Sequence, residues 1–351
     1  MGKNNLKELS EALNPTTEQK ERIFCEILEK AENRIAQRKG FASVKRLRPA
    51  LVAVVVCCLI TTTAFAAVHL GLDMKFLNFL NPSSNEQVEY LANGAYVVDK
   101  QIVNKNGILK IKQVIGDSNL TYILMDFIAP EGVVLDDDLY RFEPCNVDVD
   151  IYNGTYGYRF RTLEDENPND NKISLVMEIH TEESLMGGKI KFVAEALEGS
   201  PNLPKTYEES LLMPKSIISG NWETSFMLNF KDYSTTYELN REIMLYGYKA
   251  TLQSISVSPI SIAIKVESPY TKEIHNASSL EPVEFNTFLD EFPITINYKD
   301  GTQVTTIYHS GTTHGKYGKN ETFLLKTFEN VINDKEIESI VFFDVIIPIN
   351  Q

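Results

Sequence analysis

The spacing of apolar positions changes twice along the chain. Over residues 17–38, Ile23, Phe24, Ile27, Leu28, Ala31 and Ile35 recur three and four residues apart, with Glu, Lys and Arg filling the opposite face. That period predicts one amphipathic helix. Thr16 and Gln19 form a capping box ahead of it, the threonine hydroxyl accepting from the Gln19 amide while the Gln19 side chain reaches back. A shorter helical turn from Leu6 to Leu13 precedes it. A segment of residues 1–48 is too short to bury such a stripe by itself. The stripe is therefore the candidate partner-binding face of the chain. Two readings stand open: it self-associates or lies on a membrane surface, or it docks on a cytoplasmic protein.

Next comes an unbroken apolar run, Ala50 to Val68, 19 residues without a charge. At about 1.5 Å per residue it covers about 28 Å, close to the ~30 Å hydrocarbon core of a bilayer. Residues 49–72 are thus expected to form a transmembrane helix. Residues 73–82 (DMKFLNFLNP) read as a short amphipathic helix at the outer membrane surface, within a juxtamembrane segment spanning 73–84.

Beyond residue 85 the period falls to two. In SPISIAIKVE, Ile260, Ile262, Ile264 and Val266 alternate with Ser261, Lys265 and Glu267, and GILKIKQVI does the same around Leu109 and Ile111. This is the signature of half-buried antiparallel strands. TYILMDFIAP and ESIVFFDVIIPI are denser and read as inner strands. Turn signals separate the runs at Asn106-Gly107, Gly187-Gly188, Gly199 to Pro201 and Asp300-Gly301. At Asp300-Gly301 a strict two-residue turn pairs Ile296 with Thr305 only fairly, so a longer loop is the alternative. No long helix is expected in 85–351, only turns near Tyr207–Leu212 and Asn286–Glu291. Many short strands with intervening turns predict a mostly β fold of two sandwiches, 85–233 and 234–351, with KDYSTT (231–236) as the linker.

Charge sharpens the layout. The chain of 351 residues carries a net charge of −14. Residues 1–48 hold eleven basic against seven acidic side chains, whereas the remainder holds 23 against 41. The sign changes at the apolar run, with Lys39, Lys45, Arg46 and Arg48 before it and Asp73 after. The positive-inside rule then puts the N-terminus in the cytoplasm and residues 73–351 outside the cell membrane, as a single-pass protein. Ala64-Phe65-Ala66 imitates a signal-peptidase site. The preceding region is far longer than a secretory n-region, which favours an uncleaved anchor. The strongly acidic balance outside argues against nucleic-acid binding.

The chemistry-bearing residues are sparse. Of four cysteines, only Cys145 falls in the exported part, so no disulfide within it is available. No histidine precedes His69, which excludes a zinc site in the cytoplasmic segment. His309 and His314 lie on a Gly-rich loop without the same-face spacing of helical ligands. Asp165, Asn167 and Asn169 begin like a calcium loop, but Asp170 stands where glycine is needed and Val176 where glutamate is needed. Asp136-Asp137-Asp138 reads as a solvated turn, and Trp222 as a core aromatic. No catalytic, cofactor or metal site is expected, and the chain reads as a non-enzyme.

Several stretches carry a family resemblance: VNKNGILKIKQVIGDSNLTYILMDFIAPEGVVLDDDLYRF, GNWETSFMLNF, ISVSPISIAIKVE, INYKDGTQV and INDKEIESIVFFDVIIPI. With a short cytoplasmic segment and one span before them, the chain resembles the Gram-positive membrane proteins catalogued as domain of unknown function 4179, described as anti-sigma-factor-like. The resemblance covers residues 45–351 and its motifs are structural. It implies two immunoglobulin-like exported domains and regulation through the cytoplasmic helix. The partners expected on this reading are a cytoplasmic sigma factor, the lipid bilayer met by the apolar run, and an envelope polymer or protein as ligand. The alternative is a membrane-anchored surface binding module without inward signalling.

Overall fold

The computed structural model describes residues 71–349 apart from 165–166, 168, 201–214, 279–289, 307–310, 316–319 and 329. The predicted cytoplasmic helix with Ile23, Phe24, Ile27, Leu28, Ala31 and Ile35, the apolar run 50–68, the turn near 207–212 and His309 lie outside the described residues. Among the described residues no helix is long and apolar enough to cross a membrane. The described chain is mostly β, in four antiparallel sheets.

The first sheet runs in the order β1 (Tyr96–Asn104), β2 (Gly107–Gly116), β3 (Leu120–Ile128), β7 (Lys172–His180), β6 (Gly157–Thr162). The second is built on β8 (Lys189–Ser200), which pairs with β4 (Leu139–Phe142), β5 (Cys145–Val149) and β9 (Lys215–Met227). Alternation turns one side chain in two toward the space between these sheets. Leu109, Ile111, Ile123, Met125 and Phe127 meet Ile190, Phe192, Leu197 and Phe226 there. Trp222, fully buried, sits at the centre, with the Phe127 ring edge-on at 5.1 Å and Phe142 at 5.7 Å. Its indole Nε1 donates to the Gly107 carbonyl at 3.3 Å. Cys145 lines the same core with a free thiol, which burial pushes up to about 12.

The third sheet runs β10 (Thr235–Leu245), β11 (Tyr248–Val257), β12 (Ser261–Glu267), β16 (Glu321–Thr327), β15 (Gly311–Gly315). The fourth runs β14 (Gln303–Thr305), β13 (Ile294–Tyr298), β17 (Ile337–Phe342), β18 (Val345–Pro348). They close on a separate core that includes Leu252, Ile255, Ile264, Leu324, Ile296 and Ile340. The β13–β14 hairpin pairs Asn297 with Gln303 and closes through Tyr298 N to Thr302 O, at 2.9 Å. Its loop is therefore three residues, Lys299 to Gly301, with Gly301 at φ +85°, a left-handed position that glycine takes without strain. The longer of the two expected loops is the one adopted.

Three sequence expectations change. The dense run ESIVFFDVIIPI is not one inner strand but the hairpin β17–β18, turning at Phe343 and Asp344, which leaves β18 at the sheet edge. Two helices appear after residue 85 where none was expected, α2 (Asn85–Gly94) and α3 (Thr271–Ser278). The third change concerns α1 (Met74–Leu80). The helix forms as expected, with the Asp73 carboxylate accepting from Lys75 N at 2.8 Å and Asn81 closing it in the left-handed region. Its apolar face, however, does not lie open for a membrane surface. Phe76, Leu77 and Leu80 are buried in a third apolar cluster with Val88 and Leu91 of α2. That cluster joins the outer face of the first sheet (Ile115, Leu120, Tyr122, Leu124, Val176) to the outer face of the third (Ala263, Phe323, Leu325). The two helices thus act as a wedge shared by both sandwiches.

Candidate functional site

The outer faces that carry this wedge also place charged groups against one another. Arg159 and Arg161 stand two apart on β6 and so share one face. The β6–β7 register sets Arg159 opposite Glu178, and Arg161 opposite Val176. The fully buried Glu178 carboxylate accepts from Arg159 Nε on one oxygen and from Arg161 Nε on the other. His180 Nε2 lies 3.5 Å away. Burial alone would raise the Glu178 pKa, but His180 and the two guanidiniums outweigh it and hold the carboxyl at about 2. Arg159 also reaches across to the second sandwich, donating from Nη2 to Thr327 Oγ1 at 3.4 Å.

A second polar contact crosses the same interface. Asp117, in the turn between β2 and β3, is buried and accepts from Ser258 Oγ at 2.5 Å and Ser261 Oγ at 2.6 Å, both on the β11–β12 side. The Asn119 and Leu120 amides donate to its other oxygen at 2.8 and 2.7 Å. Burial raises the Asp117 pKa, and the four donated hydrogen bonds oppose that rise.

Beside these contacts a cleft of about 800 Å³ opens between the sandwiches. Arg159 and Arg161 form one wall, and Thr305, Thr306 and Tyr298 of the β13–β14 hairpin the other. A smaller recess of about 170 Å³ shares Arg161, Phe328, Asn330 and Val331 with it and is floored by Phe79 and Leu80 of α1. The lining combines two half-exposed guanidiniums, the Asp300 and Glu336 carboxylates, threonine hydroxyls, two asparagine amides and a few apolar side chains. That mixture suits recognition of polar, hydroxyl-bearing groups. Among the described residues no three His, Cys, Asp or Glu side chains group as metal ligands.

Nothing in the sequence alone singles out Arg159, Arg161, Glu178 or Asp117. The only linear signal was the alternation in YRFRT, and nothing in it marks a carboxylate 17 residues further on as its partner. Asp136–Asp138 does fall in a loop before β4, with Asp137 N donating to Tyr140 Oη at 2.8 Å.

The buried carboxylate makes a pH dependence. The folded Glu178 value lies below its ordinary 4.5, so its contribution is fully present above that pH and is lost as pH falls toward about 2. The ceiling is on the order of 3 kcal/mol, reduced because the two arginine side chains are 40% and 47% exposed to screening water. The stability gap between wild type and Glu178→Gln, measured by denaturant unfolding, is expected to close between pH 4.5 and 2. A gap that stays constant with pH would contradict this account.

No family model matches the chain, and no curated protein matches it. Two solved structures are similar to it. One is the conserved domain protein from Bacillus anthracis, 13% identical, covering 70% of this chain and 75% of its own, with a TM-score of 0.47. The other is the N-terminal periplasmic domain of ScsB from Proteus mirabilis, 9% identical, covering 74% of this chain and 99% of its own, with a TM-score of 0.22. Likenesses at this level carry no argument about function.

Proposed function

We propose that the chain is a single-pass membrane regulator, anti-sigma-factor-like, whose two immunoglobulin-like domains lie outside the membrane. The cleft between them takes an envelope polymer or protein, and the cytoplasmic helix over 17–38 holds a sigma factor. No chemistry is required of it. The observation that carries the reading is the position of α1. Its Phe79 and Leu80 floor the recess beside the cleft, and it begins at Met74, directly after the apolar run and its flank. A ligand that shifts one sandwich against the other must move the helix wedged between them, and with it the chain leading to the span.

The cleft can be filled from its exposed wall. Thr305 is exposed on β14, at the edge of the fourth sheet. Thr305→Trp is expected to cut induction of the partner's target genes by envelope damage at least about tenfold, the equivalent of ~1.4 kcal/mol of lost binding. The uninduced level should not change, because the cytoplasmic helix is untouched. Full induction in this variant would rule the cleft out as the receiving site.

A further inference from the structure

Lys326 is a lysine inside a sandwich core. It lies two residues from Leu324 on β16 and shares its inward face. Its register partners are Ile262 on one side and Gly311, which has no side chain, on the other. Only 4% of the residue is exposed, and Asp290, facing it, is 6% exposed. Lys326 Nζ is 2.5 Å from Asp290 Oδ1, an oxygen that also accepts from Phe292 N at 3.1 Å. Asp290 Oδ2 is buried and, among the described residues, has no hydrogen-bond partner. Burial pulls the Lys326 pKa below the ordinary lysine range despite the attraction of Asp290.

A buried ion pair of this kind is unfavourable in two ways. Both ions have given up their hydration, and one carboxylate oxygen receives no hydrogen bond from the described residues. We propose that Lys326 and Asp290 condense to an intramolecular isopeptide bond. The ammonium passes a proton to the carboxylate. The neutral amine attacks the carboxyl carbon, the Nζ–Cγ bond forms, and one C–O bond breaks. That oxygen leaves as water with the transferred proton and a second one from the nitrogen. Charge and atoms balance, and no oxidant or activated co-reactant is needed. In water the solvated ions oppose this condensation. In a core that has stripped their solvation, the neutral amide is the favoured product.

The bond ties β16 of the third sheet to the residues that lead into β13 of the fourth. It thereby cross-links the two layers of the second sandwich. Residues 73–351 contain one cysteine, so a disulfide cannot supply such a staple there. An amide staple also withstands reduction, which a disulfide does not.

The test is the intact mass of the full chain, purified in detergent, reduced and denatured. The wild-type protein is expected to be lighter than its sequence by one water. Proteolysis should then release a branched fragment that joins the peptide containing Asp290 to the one containing Lys326. Lys326→Arg, which keeps the charge but cannot form this amide, should show the full sequence mass and lack the branched fragment. If Lys326→Arg does not fold, the wild-type measurement decides by itself. A wild-type chain at full sequence mass, or a missing water mapped elsewhere, overturns the proposal.

Discussion

Replacing Trp222 with alanine is expected to destabilise the first sandwich by ~3–5 kcal/mol, the range for removing a large buried aromatic. Three features put it in that range. The side chain is fully buried at the centre of the core. Two phenylalanine rings, Phe127 and Phe142, pack on it at 5.1 and 5.7 Å and on each other at 5.7 Å, all fully buried, so removing the indole opens a cavity in the middle of an aromatic cluster. The indole N–H satisfies the Gly107 carbonyl at the start of β2, which the variant leaves without that donor. Against a typical domain stability of about 5–15 kcal/mol, the loss is a large fraction. Denaturant unfolding of residues 71–351 checks it, with Trp222→Phe expected to recover part of the loss by keeping one ring. A cost below about 1 kcal/mol would mean that the core collapses around the cavity, contrary to the packing described.

The parts of the fold that could be read from sequence are those governed by local periodicity. The alternation in 107–115 and 258–267 becomes β2 and β12, because each strand has one face in a sandwich core. A dense apolar run is harder to divide. The apolar run over 338–349 hides a turn at Phe343 and Asp344, and no Gly or Pro marks it. The helix α2 was missed because its buried positions are few: Gln87, Val88, Leu91 and Gly94 make a weak apolar stripe. Its start signal was present all the same, with Ser84 Oγ accepting from Gln87 N at 3.2 Å.

The site depended on what local pattern does not contain. Arg159, Arg161 and Glu178 converge through strand pairing, and Arg159 meets Thr327 only because two sandwiches stack. Lys326 and Asp290 are 36 residues apart and approach through the layering of two sheets. The helix at 74–80 shows the same limit from the other side. Its amphipathicity was legible, but the surface that would cover its apolar face was not, and the protein's own sheets take the place assigned to the membrane.

The largest functional effect is expected from the apolar stripe over residues 23–35, on the proposal that it lies in the cytoplasm. Ile27 and Leu28 sit in the middle of the predicted helix, where a groove-bound partner would bury them most. Burying one such side chain contributes ~1.5–3 kcal/mol. Losing both therefore removes at least ~3 kcal/mol, and an aspartate in an apolar groove adds a desolvation cost. Ile27→Asp combined with Leu28→Asp should weaken partner binding by more than two orders of magnitude, at ~1.4 kcal/mol for each factor of ten. The two sandwiches should be unaffected, since the change lies on the far side of the apolar run in sequence. With a sigma factor as partner, its target genes switch on in the double variant to the level of a deletion. Residues 1–48 used as bait should retain the sigma factor, and the variant bait should not. If wild-type residues 1–48 retain nothing, the regulator reading loses its cytoplasmic half. The chain then reads better as a surface binding module, for which the cleft and its arginine wall are sufficient.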